Sequence, residues 1–331
     1  MINFTLVFLR ILNPELSHII ALKFLKFLNF SGLLDLFFNY KFDNDNFAFK
    51  NLIFRNRLGL AAGLDKNGDY FNELGKLGFG FIEVGTITPL PQIGNTKPRI
   101  WRLTDQNSII NRLGFNNKGV DYLVTNLKKR TFKGILGVNI GANSFSTGKK
   151  RIDDYLICFK KVYKYADYIT VNISSPNTPH LRELHQPKNF HALMESLSKL
   201  REELGFINPV LIKVSPDEDY DTLAKIVGYL KRYNFDGLVA TNTSISRPKL
   251  KDENILAKEG GLSGKLLFDR STEVLHTLSK MNPGLLIGVG GVFDSSDFKK
   301  KMNVGADLVQ IYSSFVFEGP SVIKKILANK I

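Results

Sequence analysis

Hydrophobic and polar positions fall into two textures along the chain. Over roughly the first forty residues the apolar positions recur at helical spacing. Phe4 to Leu12 reads as a short apolar helix stopped by Asn13-Pro14, and Pro14 suits the first turn of the next helix. In that helix Leu16, Ile19, Ile20, Phe24, Phe27 and Leu28 share a helical period, while Ser17, His18, Lys23 and Lys26 occupy much of the remaining surface. Leu33, Leu34, Leu36, Phe37 and Phe38 follow. The pattern predicts a helical hairpin over residues 1–40. One reading packs it on the main domain; the other leaves an apolar surface that enters a bilayer interface. Burying two or three large side chains at ~1.5–3 kcal/mol each outweighs two lysines at ~1 kcal/mol each, so such binding should survive high salt. No run reaches the ~18–20 uninterrupted apolar residues of a membrane span. No basic stretch precedes the apolar start and no small-residue cleavage site follows, so no secretory signal is expected.

From residue 50 onward, short β-like runs alternate with helix-length segments. Eight runs are predicted: Leu58–Gly63, Phe79–Gly85, Gly134–Ile140, Asp167–Ile173, Pro209–Val214, Asp236–Thr241, Leu285–Gly290 and Asp307–Ile311. Alternating strands and helices imply a parallel sheet. Eight such units fit an α/β fold of the (β/α)8 TIM barrel type, for which ~250 residues is typical; a doubly wound open sheet is the competing arrangement. Residues 41–50 offer no usable motif, and 41–331 reads as one catalytic domain.

Each run ends in small or polar residues, and in a barrel those ends converge on one mouth, where catalysis is found. Gly290-Gly291 and Tyr312-Ser313 follow the last two runs, where barrels build a phosphate site from backbone N–H groups. Gly260-Gly261-Leu262-Ser263-Gly264 adds a third flexible segment. Lys213, after Val210-Leu211-Ile212, points a costly charge into the mouth unless an anionic group meets it; a structural ion pair is the alternative. Asn111, Asn172, Asn177 and Asn242 offer donors and acceptors to a ring of alternating N–H and C=O groups, although each could equally serve a turn.

Composition narrows the chemistry. Of 331 residues, 44% are hydrophobic and 23% charged, which excludes wholesale disorder. The single cysteine, Cys158, excludes a disulfide framework and a cysteine-held cluster. His180, His185 and His191 match no metal motif, so no metal is expected. The net charge of +14 leaves nucleic acid, anionic lipid and anionic small molecules open.

Five motifs then fall in order. Ala61-Ala62-Gly63-Leu64-Asp65-Lys66, Asn111-Arg112-Leu113-Gly114-Phe115-Asn116-Asn117 and Asn172-Ile173-Ser174-Ser175-Pro176-Asn177-Thr178 resemble the class 2, quinone-dependent dihydroorotate dehydrogenases. Gly260 to Gly264 and Ile287-Gly288-Val289-Gly290-Gly291 match as well. The resemblance implies a barrel holding one FMN and oxidising (S)-dihydroorotate to orotate in pyrimidine synthesis, with quinone as co-substrate. It implies FMN contacts from Ala62, Gly63, Leu64, Asp65, Lys66, Thr86, Asn139, Asn172, Lys213, Thr241, Gly264, Gly291, Tyr312 and Ser313. Substrate contacts are implied for Lys66, Asn111, Arg112, Leu113, Gly114, Phe115, Asn172, Asn177, Asn242 and Thr243. Ser175 is implied as the base, with a relay past Phe115 and Thr178. His18, Arg102 and Tyr312 match positions lining a quinone path. Class 1 relatives carry cysteine at the base and lack the hairpin, so Ser175 and residues 1–40 both point to class 2. The resemblance further implies a monomer without nucleic-acid partners, peripheral on the cytoplasmic face of a bacterial inner membrane. Two rivals stand beside it. A tRNA dihydrouridine synthase would use the basic charge and needs a cysteine in the mouth, and an inactive barrel serving as a membrane-anchored binding module needs gaps among the mouth residues.

Overall fold

The computed structural model describes residues 11–38, 45–177 and 187–327. The segment read as a helix over Phe4–Leu12 therefore lies largely outside the described residues, as do Thr178, His180 and His185. All eight predicted strands form, seven with one or both ends trimmed and the second shifted two residues onward: β1 Leu58–Leu60, β2 Phe81–Ile87, β3 Ile135–Ile140, β4 Tyr168–Asn172, β5 Val210–Val214, β6 Gly237–Ala240, β7 Leu285–Val289 and β8 Leu308–Ile311. Each pairs in parallel with its neighbours in chain order, and β8 returns to β1 to close the barrel. This is the (β/α)8 barrel; the open sheet is excluded by the β8–β1 ladder, Val309 to Leu58 through Ile311 to Leu60.

The strands are buried on both faces, as helices outside and side chains inside require. At the base of the barrel the interior is aromatic. Phe54 meets Phe81 edge-on with ring centroids 5.3 Å apart, and Phe81 meets Tyr168 at 6.4 Å. Gly59 and Gly137 make room: a Cβ on either would fall within 2.4 Å of the Phe81 or Tyr168 ring. Phe54 belongs to an antiparallel hairpin, Phe47–Phe49 with Leu52–Phe54, that packs Leu52 and Phe54 under the barrel as a floor. This hairpin begins within residues 41–50, where the sequence offered no motif, because its three-residue strands are too short to establish an alternation. A three-stranded antiparallel sheet, Ile100–Leu103, Ser108–Asn111 and Gly261–Gly264, stands beside the mouth. It too escaped the sequence reading, since its third strand comes from 150 residues downstream of its second, counted from Asn111 to Gly261.

The predicted N-terminal pair forms as α1, Pro14–Phe30, and α2, Leu33–Phe38. Asn13 caps α1 by accepting from the Glu15 and Leu16 amides, and Pro14 occupies the first turn. The face that packs is not the predicted stripe. Leu22, Leu25, Leu28, Leu34 and Phe38 are buried, whereas Leu16, Ile19, Ile20, Phe24 and Phe27 are exposed, together with Phe30 and Leu36. The pair is thus apolar on two sides, and only Leu28 of the predicted stripe serves the core. Its anchor is ionic: Arg99, buried beside the mouth, donates from Nε to one Glu15 oxygen at 2.9 Å and from Nη2 to the other at 3.1 Å. Arg102 adds a hydrogen bond to the Leu12 carbonyl.

Candidate active site

The strand ends converge as predicted, and the register explains how. Asn172 ends β4 directly opposite Lys213 on β5, so an amide and an ammonium enter the mouth side by side. Ser174 then turns its hydroxyl onto the Lys213 carbonyl at 2.7 Å, which fixes the start of the following loop. Ser175 lies next, 5% exposed, and its Oγ accepts the Asn177 amide at 3.3 Å.

An inner pocket holds most of the expected residues. Ala62, Gly63, Lys66, Thr86, Asn172, Lys213, Thr241, Gly264, Gly291, Tyr312 and Ser313 line it. Asn111, Leu113, Gly114, Phe115, Ser175, Asn177, Asn242 and Thr243 line it as well. By itself it is small, about 140 Å³. It continues through Gly63, Lys66, Asn111, Leu113 and Tyr312 into an outer cavity of about 1150 Å³. That cavity runs between the barrel and α1 and α2, lined by His18, Leu22, Leu25, Phe37, Arg102 and Tyr312 among others.

Four expected contacts stand elsewhere. Leu64 and Asp65 line the outer cavity, not the inner pocket. The Asp65 carboxylate is turned to the backbone, accepting the Asp69 and Tyr70 amides at 2.8 Å, and burial pushes its pKa up to about 6. Arg112 faces outward to Glu259 and over the Trp101 ring, and its backbone pairs with the Arg99 carbonyl and the Asn95 side-chain amide, so it does not line the pocket. Asn139 is fully buried one layer behind the pocket and reaches it through Thr86, whose hydroxyl donates to Asn139 Oδ1 at 2.5 Å. Thr178 lies outside the described residues.

Two features call for a bound group. The Lys213 ammonium, 6% exposed, has no hydrogen bond or salt bridge among the described residues; burial lowers its proton affinity and Glu83 partly restores it. Asn177 Oδ1 is a buried acceptor without a partner among the described residues. An anionic, donor-bearing ligand would satisfy both. In the turn after β7, Gly291 has φ +76° and its missing Cβ would fall 2.5–2.8 Å from Phe268 atoms, so only glycine lets the turn sit there. Ser313 donates to Ser263 Oγ at 3.0 Å and joins that turn to the Gly261–Gly264 strand.

Lys66 sits between the two compartments. Its Nζ donates to the Gly63 carbonyl at 2.9 Å, and burial, helped by the Arg99 charge, pushes it down to about 8. The sequence reading missed Glu83 and Gln310. An acid inside the apolar run Phe81-Ile82-Glu83-Val84 was the signal available: in a strand covered on both faces, a charge there points into the barrel. Cys158 is buried outside the pocket, on the helix Gly148–Val162, where burial pushes its thiol well up. The mouth therefore holds a serine and no cysteine among the described residues.

Comparison with known proteins agrees with this geometry. The dihydroorotate dehydrogenase family profile matches residues 46–330. A protein of Cellvibrio japonicus named dihydroorotate dehydrogenase (quinone) is 48% identical over 94% of this chain and 93% of its own length. One of the same name from Aliivibrio salmonicida is 45% identical over 96% of each. The crystal structure of the Eimeria tenella dihydroorotate dehydrogenase in complex with ferulenol superposes with a TM-score of 0.84 at 33% identity, covering 95% of this chain and 89% of that one. With its barrel, its serine-bearing mouth and relatives matched over nearly their full length, this chain belongs to the dihydroorotate dehydrogenase family.

Proposed function

We propose that the protein oxidises (S)-dihydroorotate to orotate with FMN in the inner pocket and a membrane quinone as electron acceptor. The observation that carries the reading is the buried Lys213 ammonium, unpartnered among the described residues, facing a pocket of asparagines that also holds Ser175. Lys213, Thr86, Gly264, Gly291 and Ser313 would hold FMN, the glycine turns at its phosphate and the lysine at the electron-rich end of the ring system. When bound, FMN supplies the acceptor for the hydride that leaves C6 of the substrate.

This chain's own residues do the rest. Lys66 meets the substrate carboxylate. Asn111, Asn172, Asn177 and Asn242 hold the ring and exclude water from it. Ser175 takes the proton from C5. A free hydroxyl is a weak base, and the Asn177 amide on Oγ lowers the cost of negative charge there. A relay past Phe115 and Thr178 carries the proton onward.

The outer cavity would seat the quinone, with an apolar wall of Leu22, Leu25 and Phe37 and polar groups from His18 and Arg102 toward Tyr312. The exposed apolar faces of α1 and α2 would lie in the lipid interface as a peripheral attachment, on the cytoplasmic side of the membrane in this reading; no described helix is long and apolar enough to cross a membrane. The chain would act as a monomer.

An absorbance spectrum of the pure protein before and after anaerobic dihydroorotate tests this. A yellow band that bleaches is expected. A colourless protein, releasing no flavin on denaturation, would overturn it.

A further inference from the structure

Beneath the pocket, Glu83 is 1% exposed in the middle of β2 and does not line the pocket wall. Its Oε1 accepts from Asn139 Nδ2 at 2.7 Å; its Oε2 accepts from Gln310 Nε2 at 2.9 Å and from the Tyr168 hydroxyl at 3.0 Å. Three donors on two oxygens is the pattern of an acceptor-only carboxylate. Gln310 marks how firmly this is imposed. Its amide turns Nε2 to Glu83 and leaves Oε1, at the wall of the inner pocket, buried with no hydrogen-bond partner among the described residues. The flipped amide would set a carbonyl against the carboxylate.

We propose that Glu83 is a positioning residue whose carboxylate anchors the hydrogen-bonded chain that holds the amides facing the substrate. The order propagates one bond at a time. Asn139 gives Nδ2 to Glu83, so its Oδ1 must face Thr86. Thr86 has one hydroxyl proton and gives it to Asn139, so it can only accept from Asn172, whose Nδ2 lies at 3.0 Å. Asn172 Oδ1 is then left to accept from Asn242 Nδ2 at 3.3 Å and from the Ser174 amide at 3.2 Å. Asn172 and Asn242 line the pocket. Their order is pinned from the far end by the main chain, since the Ser174 and Thr243 N–H groups donate to Asn172 Oδ1 at 3.2 Å and to Asn242 Oδ1 at 2.9 Å. A chain driven by donors at that end needs an acceptor at the other, and Glu83, an acceptor only, supplies it without touching the ring.

The inference rests on the proposed substrate, so orotate is the probe. Isothermal titration of FMN-loaded protein with orotate gives the dissociation constant. E83Q is expected to weaken binding about tenfold, roughly 1.4 kcal/mol. E83Q/Q310E moves the charge to the neighbouring side chain. Gln at 83 must then give its NH2 to that carboxylate and its carbonyl to Asn139, so affinity should return to within about threefold of wild type. T86V cuts the chain in the middle. It should weaken binding by a factor similar to E83Q, and E83Q should add nothing to it.

E83Q binding within twofold of wild type would overturn the proposal. So would an E83Q loss that is undiminished on top of T86V, because Glu83 would then act through the charge of Lys213. A T86V loss beyond about a hundredfold, or loss of FMN from both E83Q and E83Q/Q310E, would overturn it too. Wild-type holoprotein that binds no orotate would instead sink the reading of the whole site, and the proposal with it.

Discussion

His18 of α1 and Lys66 of the loop after β1 share the seam between the helical pair and the barrel, and the imidazole is held neutral there. Burial first, then the Lys66 charge, pushes His18 down to about 4 against the pull of Glu15 and of a hydrogen bond to the Leu64 backbone. Between about 4 and the ordinary 6.5 the unfolded chain therefore binds the His18 proton more readily than the folded one. Stability from this site is complete above that window and is lost as pH falls through it. His18→Asn should flatten the rise of the urea midpoint between those pH values; an unchanged slope would show that His18 is not held neutral.

Lys66 gives a second pH dependence, with opposite chemistry. Its ammonium loses its proton near 8 in the free protein, and an anionic substrate needs the charged form. Orotate affinity should fall as pH rises above about 8. Lys66→Met should remove that dependence and cost on the order of ten- to a hundredfold in affinity, the ~1.5–3 kcal/mol of a charged hydrogen bond. Calorimetric titration from pH 7 to 10 reads both.

Ser175→Ala is expected to slow dihydroorotate-driven bleaching of the flavin band by roughly 10²–10⁴-fold, the usual range for a positioned base. Orotate binding should stay near normal. Stopped-flow absorbance checks the first and titration the second; rapid bleaching would assign the proton to another group.

Lys213→Ala removes the one charge that the pocket offers its cofactor from β5. The purified protein should carry well below half the wild-type FMN, read as the ratio of flavin absorbance to protein absorbance. Full loading with an unchanged reduction potential would leave Lys213 without the role given to it.

The exposed faces of α1 and α2 make a prediction about salt. Phe27 and Leu36, 59% and 75% exposed, should enter the interface of lipid vesicles, and binding should persist at about 1 M salt because apolar burial exceeds the lysine contribution. Replacing both with serine should release the protein in co-sedimentation and lower turnover with long-tailed quinones. Dihydroorotate-driven bleaching should be spared.

Much of this was legible in the chain. The eight barrel strands could be read because both faces of each are buried, which writes a continuous apolar run such as Val210-Leu211-Ile212, and the mouth could be read because every run ends in polar residues. Other parts were not local. The Gly261–Gly264 strand pairs with one far upstream, and no window contains both. Which face of α1 packs was left open, because an amphipathic period identifies an apolar stripe without saying what covers it. Leu22 and Leu25 are buried against the protein, while Phe24 and Phe27 stay exposed. Arg112 and Asp65 were assigned by motif, and the motif reflects their backbone as much as their side chains. Asn139 points the right way but stands one residue too deep, a distinction that lives in the layers of the barrel.

The hairpin beneath the barrel has a consequence for traffic. With Phe54 wedged against Phe81 and Tyr168 next in the stack, the axis is a blind shaft, and no metabolite can pass along it from end to end. On the proposed function, electron donor and electron acceptor would therefore both have to enter from the rim of the barrel, where the inner pocket and the cavity beside α1 and α2 meet.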